Sequence, residues 1–133
     1  MFSHAMNVQN AYRSAGVEAE ILGSSPHRLI KLLFDGALAY IAQAKQHMQS
    51  GNVQEKSASV TRAIDIISRG LRASLDLNAG GDLAKSLDEL YEYIALQILK
   101  AQMQNDTALL DEAAHLLQEL GDAWSQIEDR VGR

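Results

Sequence analysis

At 133 residues the chain has room for one domain with its own core and not for two ordinary ones. It contains no cysteine, which excludes disulfides and thiolate metal sites, and its formal net charge of −5 argues against a surface built to hold nucleic-acid phosphates. No apolar run is long enough to span a membrane, and residues 1–9 lack the basic-then-apolar order of a secretory signal, so a cytoplasmic protein without membrane insertion is expected.

Ala, Leu, Gln, Glu and Lys are abundant and β-branched residues form no alternating runs, so the expected class is all-α. Residues 1–23 form a weak segment. A short helix over about 7–20 would place Val8, Ala11, Tyr12, Ala15 and Ala19 on one side, with Gly16 weakening it and Gly23 ending it. Such a marginal segment can dock and undock. Ser25-Pro26 then starts a long helix, serine capping free amides and proline suiting the first helical position. It runs to about Ser50 and stops at Gly51-Asn52.

Asn52-Val53-Gln54-Glu55 reads as a capping box opening a second helix, which continues to about Asp76. Asn78-Ala79-Gly80-Gly81 breaks it, and Asp82 is expected to cap a third helix ending near Gln104. After a turn at Asn105-Asp106, a fourth runs to about Arg130. Short connections between long helices make antiparallel neighbours. The expected architecture is one domain over 1–133, with a four-helix bundle at 25–131 preceded by the N-terminal segment.

The fourth helix has a single seam: Leu110, Ala113, Leu117, Leu120, Trp124, Ile127 and Val131 step by three and four. The first is apolar over two stripes, one of Ile30, Leu33, Ala37, Tyr40 and Ala44, the other of Leu29, Leu32, Leu38, Ala39 and Ile41. The third is similar, with Leu83, Leu87, Leu90, Ile94 and Ile98 joined by Tyr91, Leu96, Leu99 and Met103. A face that wide means either a central position in the bundle or a groove left open for a guest helix. Periodicity alone does not choose between them.

Catalytic chemistry is hard to place. A carboxylate-bridged metal site in a bundle needs two Glu-x-x-His motifs and two further glutamates, and Glu112-Ala113-Ala114-His115 stands alone. His27-Arg28-Leu29-Ile30-Lys31 has a superficial likeness to the phosphorylated motif of histidine phosphotransfer domains. The lysine is one residue out of place and the following glycine is absent. No serine or glycine-rich loop has a catalytic context, so neither an enzyme nor a cofactor is expected. Asp106, Asp111, Glu112, Glu119, Asp122, Glu128 and Asp129 face only Arg130 and Arg133 in the last helix, the pattern of a solvated acidic surface.

Three stretches together resemble the FliS family of flagellin-specific export chaperones. One is Ala11-Tyr12 followed by Ser24-Ser25-Pro26-His27-Arg28-Leu29-Ile30 and Leu33-Phe34-Asp35-Gly36-Ala37; another is Leu75-Asp76-Leu77 with Gly80-Gly81-Asp82-Leu83-Ala84. The third is Leu87-Asp88-Glu89-Leu90-Tyr91-Glu92-Tyr93-Ile94, with Trp124 late in the final helix. The resemblance implies an antiparallel four-helix bundle that holds newly made flagellin before export. The disordered flagellin C-terminal segment would gain helix as it wraps the bundle, and the tyrosine segment would cover part of the groove until flagellin arrives. Tyr12 matches that tyrosine, while Glu20-Ile21-Leu22-Gly23 lengthens the gap behind it and Phe34 replaces the usual tyrosine. The expected partner-binding residues are Tyr12 as the cap, with a permanently docked staple as its alternative, and Leu33, Tyr40, Leu87, Tyr91 and Ile94 along the groove. Stripes at helical spacing also read as ordinary core. Further expected partners are the export gate and regulatory proteins, and the protein is read as a monomer or a homodimer.

Overall fold

The computed structural model describes Val8, Asn10, Ala11 and residues 25–127. Four helices follow in order: α1 (Pro26–Ser50), α2 (Val53–Asp65, prolonged by a π-helical turn, Ile66–Leu71), α3 (Gly81–Gln104) and α4 (Thr107–Gln126). Their ends are built by local polar contacts. Ser25 Oγ accepts from the Arg28 amide at 3.1 Å with Pro26 opening the helix, and Asn52 Oδ1 accepts from the Glu55 amide at 3.3 Å. Gly51 takes a left-handed conformation at φ 76°, and the Asn52 amide reaches back to the His47 carbonyl at 2.9 Å, so free carbonyls at the end of α1 are satisfied. Asp106 Oδ1 accepts from the Ala108 amide at 2.9 Å and opens α4.

Three boundaries differ from the sequence expectation. The second helix stops at Leu71 rather than near Asp76. There the Ser74 hydroxyl donates to the Leu71 carbonyl at 2.7 Å, taking an acceptor the next helical turn would need. The third helix is not capped by Asp82. Gly80 holds the N-cap position with no side-chain cap bond, and Asp82 sits in the first turn, where its charge favours the helix dipole. Gly80 is required for steric reasons: a Cβ there would lie 2.6 Å from Ala84 Cβ and 2.8 Å from the Asp76 carbonyl oxygen. The fourth helix ends at Gln126, short of the expected Arg130: Ile127 takes an extended backbone at φ −76° and ψ 116°, its amide reaching back to the Trp124 carbonyl at 3.1 Å.

Specific pairs fix an up-down-up-down ring. Arg62 lies 5.7 Å over the Tyr40 ring between α1 and α2, and Gln102 Nε2 donates to Ser57 Oγ at 2.9 Å between α2 and α3. Tyr93 and Gln97 of α3 both reach Glu112 of α4, and Lys45 meets Asp111 at 2.9 Å to close α1 on α4. Across the diagonal, Phe34 and Tyr91 approach to 6.3 Å between ring centroids. The core comprises Leu29 and Leu33 of α1, Val60, Ile66, Ile67 and Leu71 of α2, Ile94 and Ile98 of α3, and Leu110 and Leu117 of α4, with Val8 added from the N-terminal segment. Burying one such side chain is worth about 1.5–3 kcal/mol. Two glycines allow close packing: a Cβ on Gly36 would be 3.3 Å from Ile66 Cδ1, and one on Gly121 3.3 Å from Phe34 Cγ. Gly36 thus serves helix packing, and Phe34 fills the space that Gly121 leaves.

A half-buried ion pair ties the end of α2 to α3. Arg72 Nε and Nη2 donate to Asp88 Oδ1 and Oδ2 at 2.9 and 3.2 Å. This hydrogen bonding holds the Asp88 carboxyl below its usual range, against the opposing effect of burial. A carboxylate with a depressed folded pKa contributes stability that is present above its unfolded pKa and lost as pH falls through the folded one. Asp88→Asn is therefore expected to lower the urea midpoint at neutral pH. The gap to the unsubstituted chain should close as pH falls below about 4. Equal midpoints at neutral pH would mean that the pair contributes nothing net.

Candidate binding surface

The third helix is apolar around more than half its circumference, and the packing divides that surface in two. Tyr91, Ile94, Ala95, Ile98 and Ala101 point inward and are buried, with Leu87 and Leu90 half-buried against the core. Leu96, Leu99 and Met103 point outward at i, i+3 and i+7, and are 58%, 42% and 77% exposed. Three large apolar side chains in one outer stripe make this face a candidate binding surface. Helical spacing brings a partner's side chains onto all three within about two turns.

The stripe's flank is held by a polar strap. Tyr93 Oη donates to Glu112 Oε1 at 3.1 Å and Gln97 Nε2 to the same oxygen at 2.7 Å, joining α3 to α4. The Glu112 hydrogen bond raises the Tyr93 phenol above its ordinary pKa. Lys85, Glu89, Glu92 and Lys100, all exposed, give the outer face of α3 both signs of charge. On α4, Glu119 lies 3.6 Å from His115, and Gln118 Nε2 donates to Asp122 Oδ1 at 2.8 Å. Of the described carboxylates of α4, Glu119 and Asp122 are thus engaged within the helix, and Asp111 and Glu112 across to α1 and α3. At the opposite end of α3, Leu83 is 72% exposed, with Leu77 and Ile127 also exposed.

The residues singled out from sequence fall into three groups. Leu33 and Ile94 have no accessible surface and Tyr91 is buried, burial pushing its phenol pKa up. All three are core residues in this conformation. Tyr40 and Leu87 are half-buried at the edge of the core, Tyr40 beneath the Arg62 guanidinium. Tyr12 lies outside the described residues. Sequence spacing joins Leu96, Leu99 and Met103, with Tyr91, to the inner residues of α3 in one wide apolar face. The signal that could have separated them is that the three share an outer sector, roughly opposite Ile94 and Ile98 on a 100° wheel.

His27 is built into the fold. Trp124 Nε1 donates to the His27 carbonyl at 2.9 Å, His27 Nε2 lies 3.0 Å from the Trp124 carbonyl, and the rings stack at 4.9 Å. This latch joins the start of α1 to the end of α4. Phosphoryl transfer to Nε2 would have to break it, so the geometry does not favour a phosphotransfer reading. Glu112 of the lone Glu-x-x-His is committed to the strap, and among the described residues no group of three or more His, Asp or Glu side chains could hold a metal ion. No helix among the described residues is long and apolar enough to cross a membrane.

The family model described as "Flagellar protein FliS" matches residues 8–131. The chain belongs to the FliS family. It is 42% identical over 124 residues to the "Flagellar secretion chaperone FliSB" of Pseudomonas aeruginosa, covering 93% of this chain and 98% of that one. It is 38% identical over 121 residues to the "Flagellar secretion chaperone FliS" of Salmonella typhimurium, covering 91% and 90%. The Bacillus subtilis FliS is 27% identical over 121 residues, covering 91% and 88%. Membership in FliS makes this bundle a flagellar secretion chaperone and not an enzyme. Its work is therefore done by surfaces, and the outer stripe of α3 is the leading candidate.

Proposed function

We propose that this FliS-family chain acts in the cytoplasm by holding the disordered C-terminal segment of flagellin, keeping it from polymerising before flagellar type III export. The segment folds into amphipathic helix on the bundle, one stretch lying on Leu96, Leu99 and Met103, the helix-in-groove mode. The observation that carries this reading is the uncovered apolar stripe in a member of a secretion-chaperone family. Tyr40 and Leu87 border the path, while Leu33, Tyr91 and Ile94 support it from beneath. Tyr12 acts as the displaceable cap. The export gate and regulatory proteins are further partners in this reading.

Ordering a disordered segment costs about 2–5 kcal/mol, so the complex has to bury an extended apolar surface and not a single pocket. Hiding the client's helices also removes the faces that would otherwise pair in a filament. Calorimetric titration with the flagellin C-terminal segment tests the reading. Sub-micromolar binding with a negative heat-capacity change and a gain of helicity is expected. No heat and no helicity change up to about 100 μM would overturn it.

A further inference from the structure

With no cysteine in the chain, its four methionines carry all of its sulfur. Met48 is in the core, whereas Met103 is 77% exposed, more open than any other large apolar side chain described. Met103 also ends the docking stripe, one turn beyond Leu99. We propose that Met103 is an oxidation-sensitive modification site whose conversion to the sulfoxide switches the docking surface off. The inference rests on the docking role proposed for that stripe.

The chemistry is a two-electron oxidation by a hydroperoxide such as hydrogen peroxide. A lone pair of the Met103 thioether attacks one peroxide oxygen, the S–O bond forms as the O–O bond breaks, and the second oxygen leaves with the protons as water. Reaction at a thioether follows solvent access, so Met103 reacts well before Met48. The product replaces a flexible apolar tip with a polar, chiral S=O group. A client helix lying on Leu96 and Leu99 would then bury that oxygen with its hydrogen-bonding capacity unmet, which costs binding. Reduction by a methionine sulfoxide reductase restores the thioether, so the change is reversible.

The full-length protein is treated with millimolar hydrogen peroxide, mapped by peptide mass, and titrated with the flagellin C-terminal segment before and after treatment. Oxidation is expected at Met103 ahead of Met48, with affinity falling about tenfold. Sulfoxide reductase should recover it. Met103→Leu, treated and untreated, is compared only with itself, so any effect of the substitution cancels and oxidation at Met1 or Met6 is accounted for. It should lose no affinity on treatment. The proposal is overturned if Met48 oxidises first, if the oxidised protein binds as tightly as before, or if treated Met103→Leu loses as much affinity as the unsubstituted chain. Failure of the untreated protein to bind overturns the docking reading and this inference together, whereas normal binding before treatment and after it overturns this inference alone.

Discussion

Replacing Leu96 and Leu99 together with aspartate is expected to weaken flagellin-segment binding at least about a hundredfold while shifting the melting temperature by only a few degrees. Each leucine supplies about 1.5–3 kcal/mol if a client helix buries it fully, and a carboxylate in its place must be desolvated without a partner. A hundredfold loss corresponds to about 2.7 kcal/mol, less than the two leucines could supply together. The fold tolerates the change because both side chains already stand 58% and 42% exposed in the free protein. Titration and a thermal melt on the same sample separate the two effects. Unchanged affinity in a folded double variant would exclude the α3 stripe and move attention to the Leu77 and Leu83 end.

Ile94→Ala should have the opposite profile. Ile94 has no accessible surface and belongs to the central cluster shared by all four helices. Truncating a buried isoleucine removes transfer free energy and leaves a cavity, at a cost of about 2–5 kcal/mol. For a chain of this size that lowers the melting temperature by roughly 10 °C. Client affinity, measured well below the new midpoint, should change only slightly. A large affinity loss with the melting temperature unchanged would show that Ile94 contacts the client directly and that the third helix rotates when the client binds. The two variants thus divide α3 into a face that stabilises and a face that binds.

The contrast between these residues marks where sequence reading stops. Leu33, Ile94 and Leu99 are the same kind of position in the primary structure, large apolar residues at helical spacing. The polar strap from Tyr93 and Gln97 to Glu112 and the latch between His27 and Trp124 were equally hidden. Glu112 and His115 drew notice as half of a metal motif, and His27 as a phosphorylation candidate. Glu112 and His27 are used by partners at least fifteen residues away, whereas His115 meets Glu119 one helical turn on.

Local residue patterns set the helical class, the four helices and most of their ends, because those depend on contacts within a few residues. Ser25 on the Arg28 amide, Asn52 on the Glu55 amide and Gly51 in its left-handed turn are all bonds of this short range. The resemblance carried by Ser25-Pro26, Gly80-Gly81 and the Leu87–Ile94 run was also legible, and it led to the right family. Which sector of α3 is core and which is surface follows from how the four helices pack. That choice depends on where α2 and α4 lie against the helix, a relation between residues distant in the chain that periodicity cannot encode. The same packing pairs Arg72 with Asp88 across the gap, whereas the early end of α2 is a local turn, with Ser74 on the Leu71 carbonyl. A helix apolar around more than half its circumference has several ways to face a core, and its neighbours select one.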